Sequence, residues 1–229
     1  MNCSTWRSRV LTRLIVRLQV RSLSVSGLER LAFAGDGGFV VATTHITDMD
    51  MPIAWRVLGD RYRLRAANMS LHHSFLTNIP MNFLLHIAGK ANFHPIDYRE
   101  GTPARGTFNP ANYPPMADAL TAGDVVMIAA HRPMSQPHLP PHGGVGAVYL
   151  AGIADVPIVP LAVTVRTDGS RAYTNTVIRT MFDRPEARVV IGEPFRLGPL
   201  AAAEVVTPEL TAELRNRSEV LMGRIRQLV

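Results

Sequence analysis

One cysteine, Cys3, stands in the 229-residue chain. That excludes a disulfide framework and any thiolate-held metal cluster, and it suits a reducing compartment. Lysine is nearly missing too: Lys90 is the single one, and arginine supplies every other cation. No run reaches the roughly 18 uninterrupted apolar residues that a spanning helix needs, so a protein integral to a membrane is not expected. Neither a collagen-type Gly/Pro period nor a repeat of solenoid length is present. With 47% hydrophobic residues the chain is not a disordered one. The length suits one large domain or two small ones, and no linker divides it.

The charge that is present is lopsided. Twenty-four Lys+Arg against eighteen Asp+Glu leave +6, a surplus that attracts anions such as nucleic acid, acidic lipid or a phosphorylated substrate. Arginine without lysine, beside abundant Ala and Val, is also what a GC-rich genome writes. The arginines are dispersed and carry no basic-aromatic motif, so nucleic acid is not an expected partner. Residues 4–19 place Val10, Leu11, Leu14, Ile15 and Leu18 at helical spacing, with Arg9, Arg13 and Arg17 four residues apart along another face. Such a basic amphipathic helix suits an anionic membrane surface, or packs on its own domain with a solvated Arg face. Arg13 and Arg17 interrupt the apolar run that a cleavable signal peptide requires. A cytoplasmic protein, peripheral to the membrane, is expected.

Further along, Val20 to Ser26 alternates, and Phe39-Val40-Val41-Ala42 follows a Gly-Gly turn as a short buried strand. Met51 to Gly59 reads as a helix opened by Asp50 as N-cap and Pro52 in the first turn. Residues 70–89 read as helix in two pieces divided at Pro80, and 92–97 as strand. A small helix at 117–122, strands at 124–130 and 156–165, and a helix at 144–151 complete the middle of the chain. Strands near 177–181 and 188–191 precede a helix over 207–228, opened by Thr207-Pro208-Glu209. The alternation predicts an α/β fold, a mainly parallel sheet with helices on both faces. An N-terminal amphipathic helix, residues 1–19, precedes the main domain, residues 20–229.

Directly after the strand 39–42 comes Thr43-Thr44-His45-Ile46-Thr47-Asp48-Met49-Asp50. The end of a strand is where open α/β sheets bind ligands. Five residues turn about 140° on a continuous helix, so His45 and Asp50 meet only if His45 lies in the loop and Asp50 at the start of the helix beyond. A His held by a carboxylate is a general base: the anion fixes the tautomer and stabilises the imidazolium. No Ser or Cys stands nearby in a nucleophile elbow, which leaves direct attack by a substrate hydroxyl. Asp48 is an alternative orienting carboxylate.

The segment Thr44-His45-Ile46-Thr47-Asp48-Met49-Asp50 resembles the N-H-x-S-x-x-D motif of the glycerolipid acyltransferases, the lysophosphatidic acid acyltransferases and their relatives, with Thr in place of Asn and of Ser. Val156-Pro157-Ile158-Val159-Pro160-Leu161 is similar to that family's V-P-I-V-P-V segment, and Val190-Ile191-Gly192-Glu193-Pro194-Phe195 to its later I-G-x-P segment. The resemblance spans roughly residues 20–228. It implies transfer of a fatty acyl group from an acyl thioester donor, coenzyme A or acyl carrier protein, to a lipid-like hydroxyl acceptor. His45 would take the hydroxyl proton and Asp50 would orient His45. Thr44, Thr47 and amides at the helix start would face the oxyanion. No metal and no resident cofactor is implied.

Two segments depart from the family pattern. Where P-E-G-T is expected, the chain reads Ala130-His131-Arg132-Pro133, so the acceptor differs from a simple glycerol phosphate while Arg132 retains a fork for an anion. The strand-ending Arg of the family is carried onto Arg99, one or two places displaced. His131, His138 and His142 share a loop with four prolines between the first and the last, and without a carboxylate or Cys beside them they read as acceptor-shaping rather than metal-binding. The apolar stretch from Leu71 to Ala88 reads as core packing, or as a wall for an acyl chain.

Overall fold

The computed structural model describes residues 3–34, 37–47, 49–68, 93–95, 108–131, 139, 143–166 and 184–229. The sheet and its helices follow in chain order. Helix α1 (Cys3–Gln19) leads into β1 (Ser22–Ser26), a 3-10 turn (Leu28–Ala34) and β2 (Phe39–Thr43). Helix α2 (Asp50–Leu58) then connects to β3 (Leu64–Asn68), and β4 (Phe93–Pro95) comes next. Helix α3 (Pro114–Thr121), β5 (Val125–Ala129), α4 (Gly146–Ile153), β6 (Ile158–Arg166), β7 (Glu186–Ile191) and α5 (Pro208–Arg226) complete the order. The expected elements at 70–89 and 177–181 lie outside the described residues.

These strands make one seven-stranded sheet ordered β1-β7-β6-β2-β5-β3-β4. Five strands run parallel, from β6 to β4, and β7 joins antiparallel to β6 with β1 parallel to β7. The α/β class with a mainly parallel sheet is therefore as expected. The central strand β2 is buried at every position, and its residues alternate between two cores. Phe39 and Val41 join α1 and α2 through Val16, Ile53, Ala54 and Leu58 on one face. Val40 and Ala42 join α3, α4 and α5 through Met116, Val148, Leu214 and Leu221 on the other. Strand β5 repeats the alternation, Val125 and Met127 against Val126 and Ile128. Two-sided burial accounts for the unbroken apolar runs of these strands.

Local chemistry sets the helix boundaries. Helix α5 begins where Thr207 Oγ1 accepts the Leu210 N–H at 3.2 Å, with Pro208 in the first turn. Helix α4 is apolar all round because it is buried from Ala147 to Gly152 between the sheet and α5. At the end of β1, Gly27 adopts φ +81°, and a Cβ there would collide with the Ile191 carbonyl, so glycine is required. Helix α2 corrects one expectation. Met49, not Asp50, occupies the cap, and Asp50 is the first helical residue. Its carboxylate turns back to the preceding loop instead of capping forward.

Connectivity fixes where a ligand would sit. The chain leaving β2 enters α2 on one face, and the chain leaving β5 proceeds to α4 on the other. Because β2 and β5 are parallel neighbours, their C-terminal ends flank a topological switch point, where open α/β sheets form their crevice.

Candidate active site

The loop between β2 and α2 is tied at nearly every residue. Thr44 is fully buried, and its N–H donates to the Leu161 carbonyl at 3.0 Å. Its hydroxyl accepts the Val163 N–H at 2.9 Å and lies 3.3 Å from the Val163 carbonyl. The side chain thus continues the β2–β6 ladder one step beyond the strand. His45 comes next, half-buried, with Nδ1 turned away from solvent. Its backbone N–H donates to Nε2 of His131 at 3.1 Å.

Asp50 closes the loop from the far end. Its Oδ2 accepts the Ile46 N–H at 2.6 Å and its Oδ1 accepts the Thr47 hydroxyl at 2.5 Å. Thr47 Oγ1 in turn accepts the Met49 N–H at 3.2 Å, and the Asp50 N–H donates to the Thr47 carbonyl at 3.2 Å. One carboxylate therefore clamps the five-residue span, Ile46 to Asp50, that directly follows His45. Asp50 itself is fully buried, while Ile46 and Thr47 are half-buried. Burial raises the Asp50 pKa to about 7, against hydrogen bonds from Thr47, Ile46 and Thr44 that favour the ion. A carboxyl group that titrates near neutrality, one residue into a helix at a strand end, has the character of a working group rather than a surface charge.

Among the expected site residues, the structure thus brings His45, Asp50, Thr44, Thr47 and His131 to the paired ends of β2 and β5. His131 is 3% exposed and spends Nε2 on the His45 amide, a link that sequence spacing could not have revealed across 86 residues. Asp48, Arg99, Arg132, His138, His142 and the stretch from Leu71 to Ala88 lie outside the described residues. Thr43, which sequence reading did not single out, is fully buried, and its hydroxyl has no hydrogen-bond partner among the described residues.

No protein-family model matches the sequence, and no curated protein matches it. A solved structure does. The crystal structure of the 1-acyl-sn-glycerophosphate (LPA) acyltransferase PlsC from Thermotoga maritima superposes over 98% of this chain and 78% of its own, with a TM-score of 0.59 and 13% identity. The fold is shared. At that identity the likeness carries architecture only, and the chemistry has to be argued from the residues at the strand ends.

Proposed function

We propose that the protein is an O-acyltransferase that moves a fatty acyl group from an acyl thioester, carried by coenzyme A or acyl carrier protein, to the hydroxyl of a lipid-like acceptor. The observation that carries this reading is the clamped His45 loop at the switch point, in a fold shared with an LPA acyltransferase. His45 removes the acceptor's proton as its oxygen attacks the thioester carbonyl, forming a tetrahedral oxyanion. Collapse expels the thiolate, which takes the proton back from the imidazolium, so an ester and a free thiol leave together. Ionised Asp50 fixes the loop and stabilises the positive charge that develops on His45. Backbone amides at the start of α2 and the arginines Arg99 and Arg132 complete the acceptor side in this reading; the Thr47 hydroxyl, its proton held by Asp50, supports the loop instead of the expected oxyanion contact. The route uses neither a metal nor a bound cofactor.

Helix α1 supports a membrane-surface acceptor. Val16 and Val20 point into the core, but Trp6, Val10, Leu14 and Leu18 are 57%, 43%, 53% and 47% exposed. Steps of four residues advance about 40° on a helix, so these four form one drifting apolar stripe opposite the packed face. Exposed Arg7 and Arg17 lie along the same side, whereas Arg13 pairs with Asp60 at 2.7 Å on the protein's own surface. An apolar stripe with arginines beside it matches the boundary of an anionic bilayer. Among the described residues no helix is long and apolar enough to cross a membrane.

The test is thiol release from a panel of acyl-CoA and acyl carrier protein thioesters, with and without lysophospholipid, glycerol phosphate and simple alcohols. His45→Ala is the control. Acceptor-dependent release that the substitution abolishes is the expected result. Acceptor-independent release lost in the variant identifies a thioesterase-like hydrolase instead. No release from either donor class leaves a non-catalytic lipid-binding protein of the same fold.

A further inference from the structure

In an unbroken parallel ladder between β2 and β5, the rung after Ala130 N–H to Thr43 carbonyl, at 2.8 Å, would join the His45 N–H to the Ala130 carbonyl. That rung is open. The Ala130 carbonyl instead accepts the Gly144 N–H at 2.7 Å, from the chain leading into α4. The His45 N–H donates to the His131 imidazole. Each half of the missing rung has thus found a substitute partner, and the two strands part at the point where the crevice forms. We infer that His131 is a positioning residue: its neutral imidazole stands in for the absent strand and holds the first peptide of the His45 loop.

The chemistry restricts the side chain. An amide donor needs a lone pair on Nε2, so the ring proton sits on Nδ1 and the imidazole is uncharged. At 3% exposure water cannot readily replace the acceptor, and removing it would strand a buried N–H beside the reacting group. His131 does not touch the acceptor in this assignment; it acts through the placement of His45. The effect on turnover rests on the acyl-transfer reading, whereas the hydrogen bond itself does not.

Two variants and two readouts separate these claims. His131→Phe keeps a flat ring of similar size and removes the acceptor; His131→Gln supplies a carbonyl oxygen near the place of Nε2. Nitrogen-15 spectra of the wild-type protein are expected to show His131 as the Nδ1–H tautomer. Hydrogen exchange at the His45 amide is expected to be at least about tenfold faster in the Phe variant and close to wild type in the Gln variant. If the acyl-transfer reading holds, kcat falls about 10- to 100-fold in the Phe variant with KM little changed, as for a catalytic group displaced by a fraction of its working distance. The Gln variant recovers most of that loss. An Nε2–H tautomer, or unchanged His45 exchange in the Phe variant, overturns the inference whether or not any activity is found. Lost protection with full turnover in the Phe variant keeps the hydrogen bond but overturns the positioning role. An inactive wild type with the expected tautomer and exchange overturns only the acyl-transfer reading.

Discussion

The replacement Asp50→Asn is expected to make the protein more stable above neutral pH while disabling it. The carboxyl has a pKa near 3.8 when solvated and about 7 in the fold, because burial outweighs the bonds it accepts. Between those values the folded state holds a proton that the unfolded state has released. Stability therefore falls as pH rises through the window from about 4 to about 7. Roughly three pKa units correspond to about 4 kcal/mol from this one group. Asparagine does not titrate, and its amide can still serve the loop, with the oxygen toward the Ile46 N–H and the nitrogen toward Thr47 Oγ1.

The assay is urea denaturation of both proteins at several pH values between 4 and 8, followed by fluorescence of the buried Trp55. The wild-type stability relative to the Asn variant should drift by about 4 kcal/mol in favour of asparagine across that range. Turnover by the Asn variant should drop on the order of 10³-fold, since an amide neither fixes nor balances an imidazolium as a carboxylate does. A stability difference that is flat with pH, or that drifts the other way, would refute the assignment of Asp50 as a carboxyl strained by burial. The wild-type rate should fall as pH is lowered through about 7, where Asp50 takes up its proton.

Asp48→Asn should lower turnover far less than Asp50→Asn in the same thiol-release assay, because the clamp belongs to Asp50; the reverse ranking assigns the orienting role to Asp48. Thr43→Val replaces a buried hydroxyl with no partner among the described residues by a methyl of similar size. It should raise stability by about 1 kcal/mol in urea titration, and a loss instead would mean that the hydroxyl is satisfied. The double change Arg7→Gln with Arg17→Gln should weaken sedimentation with anionic vesicles about 30-fold, or about 2 kcal/mol for two interfacial arginines. Binding to neutral vesicles should change little, and equal weakening on both would remove the electrostatic part of the docking argument.

Much of the architecture was legible because the signals are local. Phe39 to Ala42 is an apolar run bounded by a turn, and Thr207-Pro208 is a helix start in three residues. Strand β3 was not legible: Arg63 precedes it and Arg65 interrupts it, and both pair with the buried Asp124, 59 residues beyond Arg65. Their charge reads as surface in the sequence and is neutralised only by the fold. That His45 and Asp50 stand at the two ends of one short loop was legible from residue type and position after a strand. The direction of the Asp50 carboxylate was not, since a cap and a backward clamp use the same residue at nearly the same place. His131 was visible as a candidate, but its partner is a backbone amide on another strand, and no spacing rule records such a bond.

The distribution of buried polar groups argues that the strand ends are a site and not a well-packed accident. Among the described residues, the buried polar side chains are Gln19, Thr43, Thr44, Asp50, Asp124, His131 and Ser218. Four of these seven, Thr43, Thr44, Asp50 and His131, lie between the end of β2 and the start of α2 or just after β5, although β2, β5 and β6 offer equally deep positions along their length. Each such group costs stability unless its partners compensate, and apolar residues would fill the same volume more favourably. A fold optimised for stability alone would place Val, Leu and Asn where Thr43, His131 and Asp50 stand. Concentrating polar burial at one switch point, beside a half-exposed His45, is what a reaction at that point requires and what packing alone does not. If stability were the whole account, Thr43→Val and Asp50→Asn would each improve the protein at no expense in turnover. The acyl-transfer reading requires that Asp50→Asn cannot.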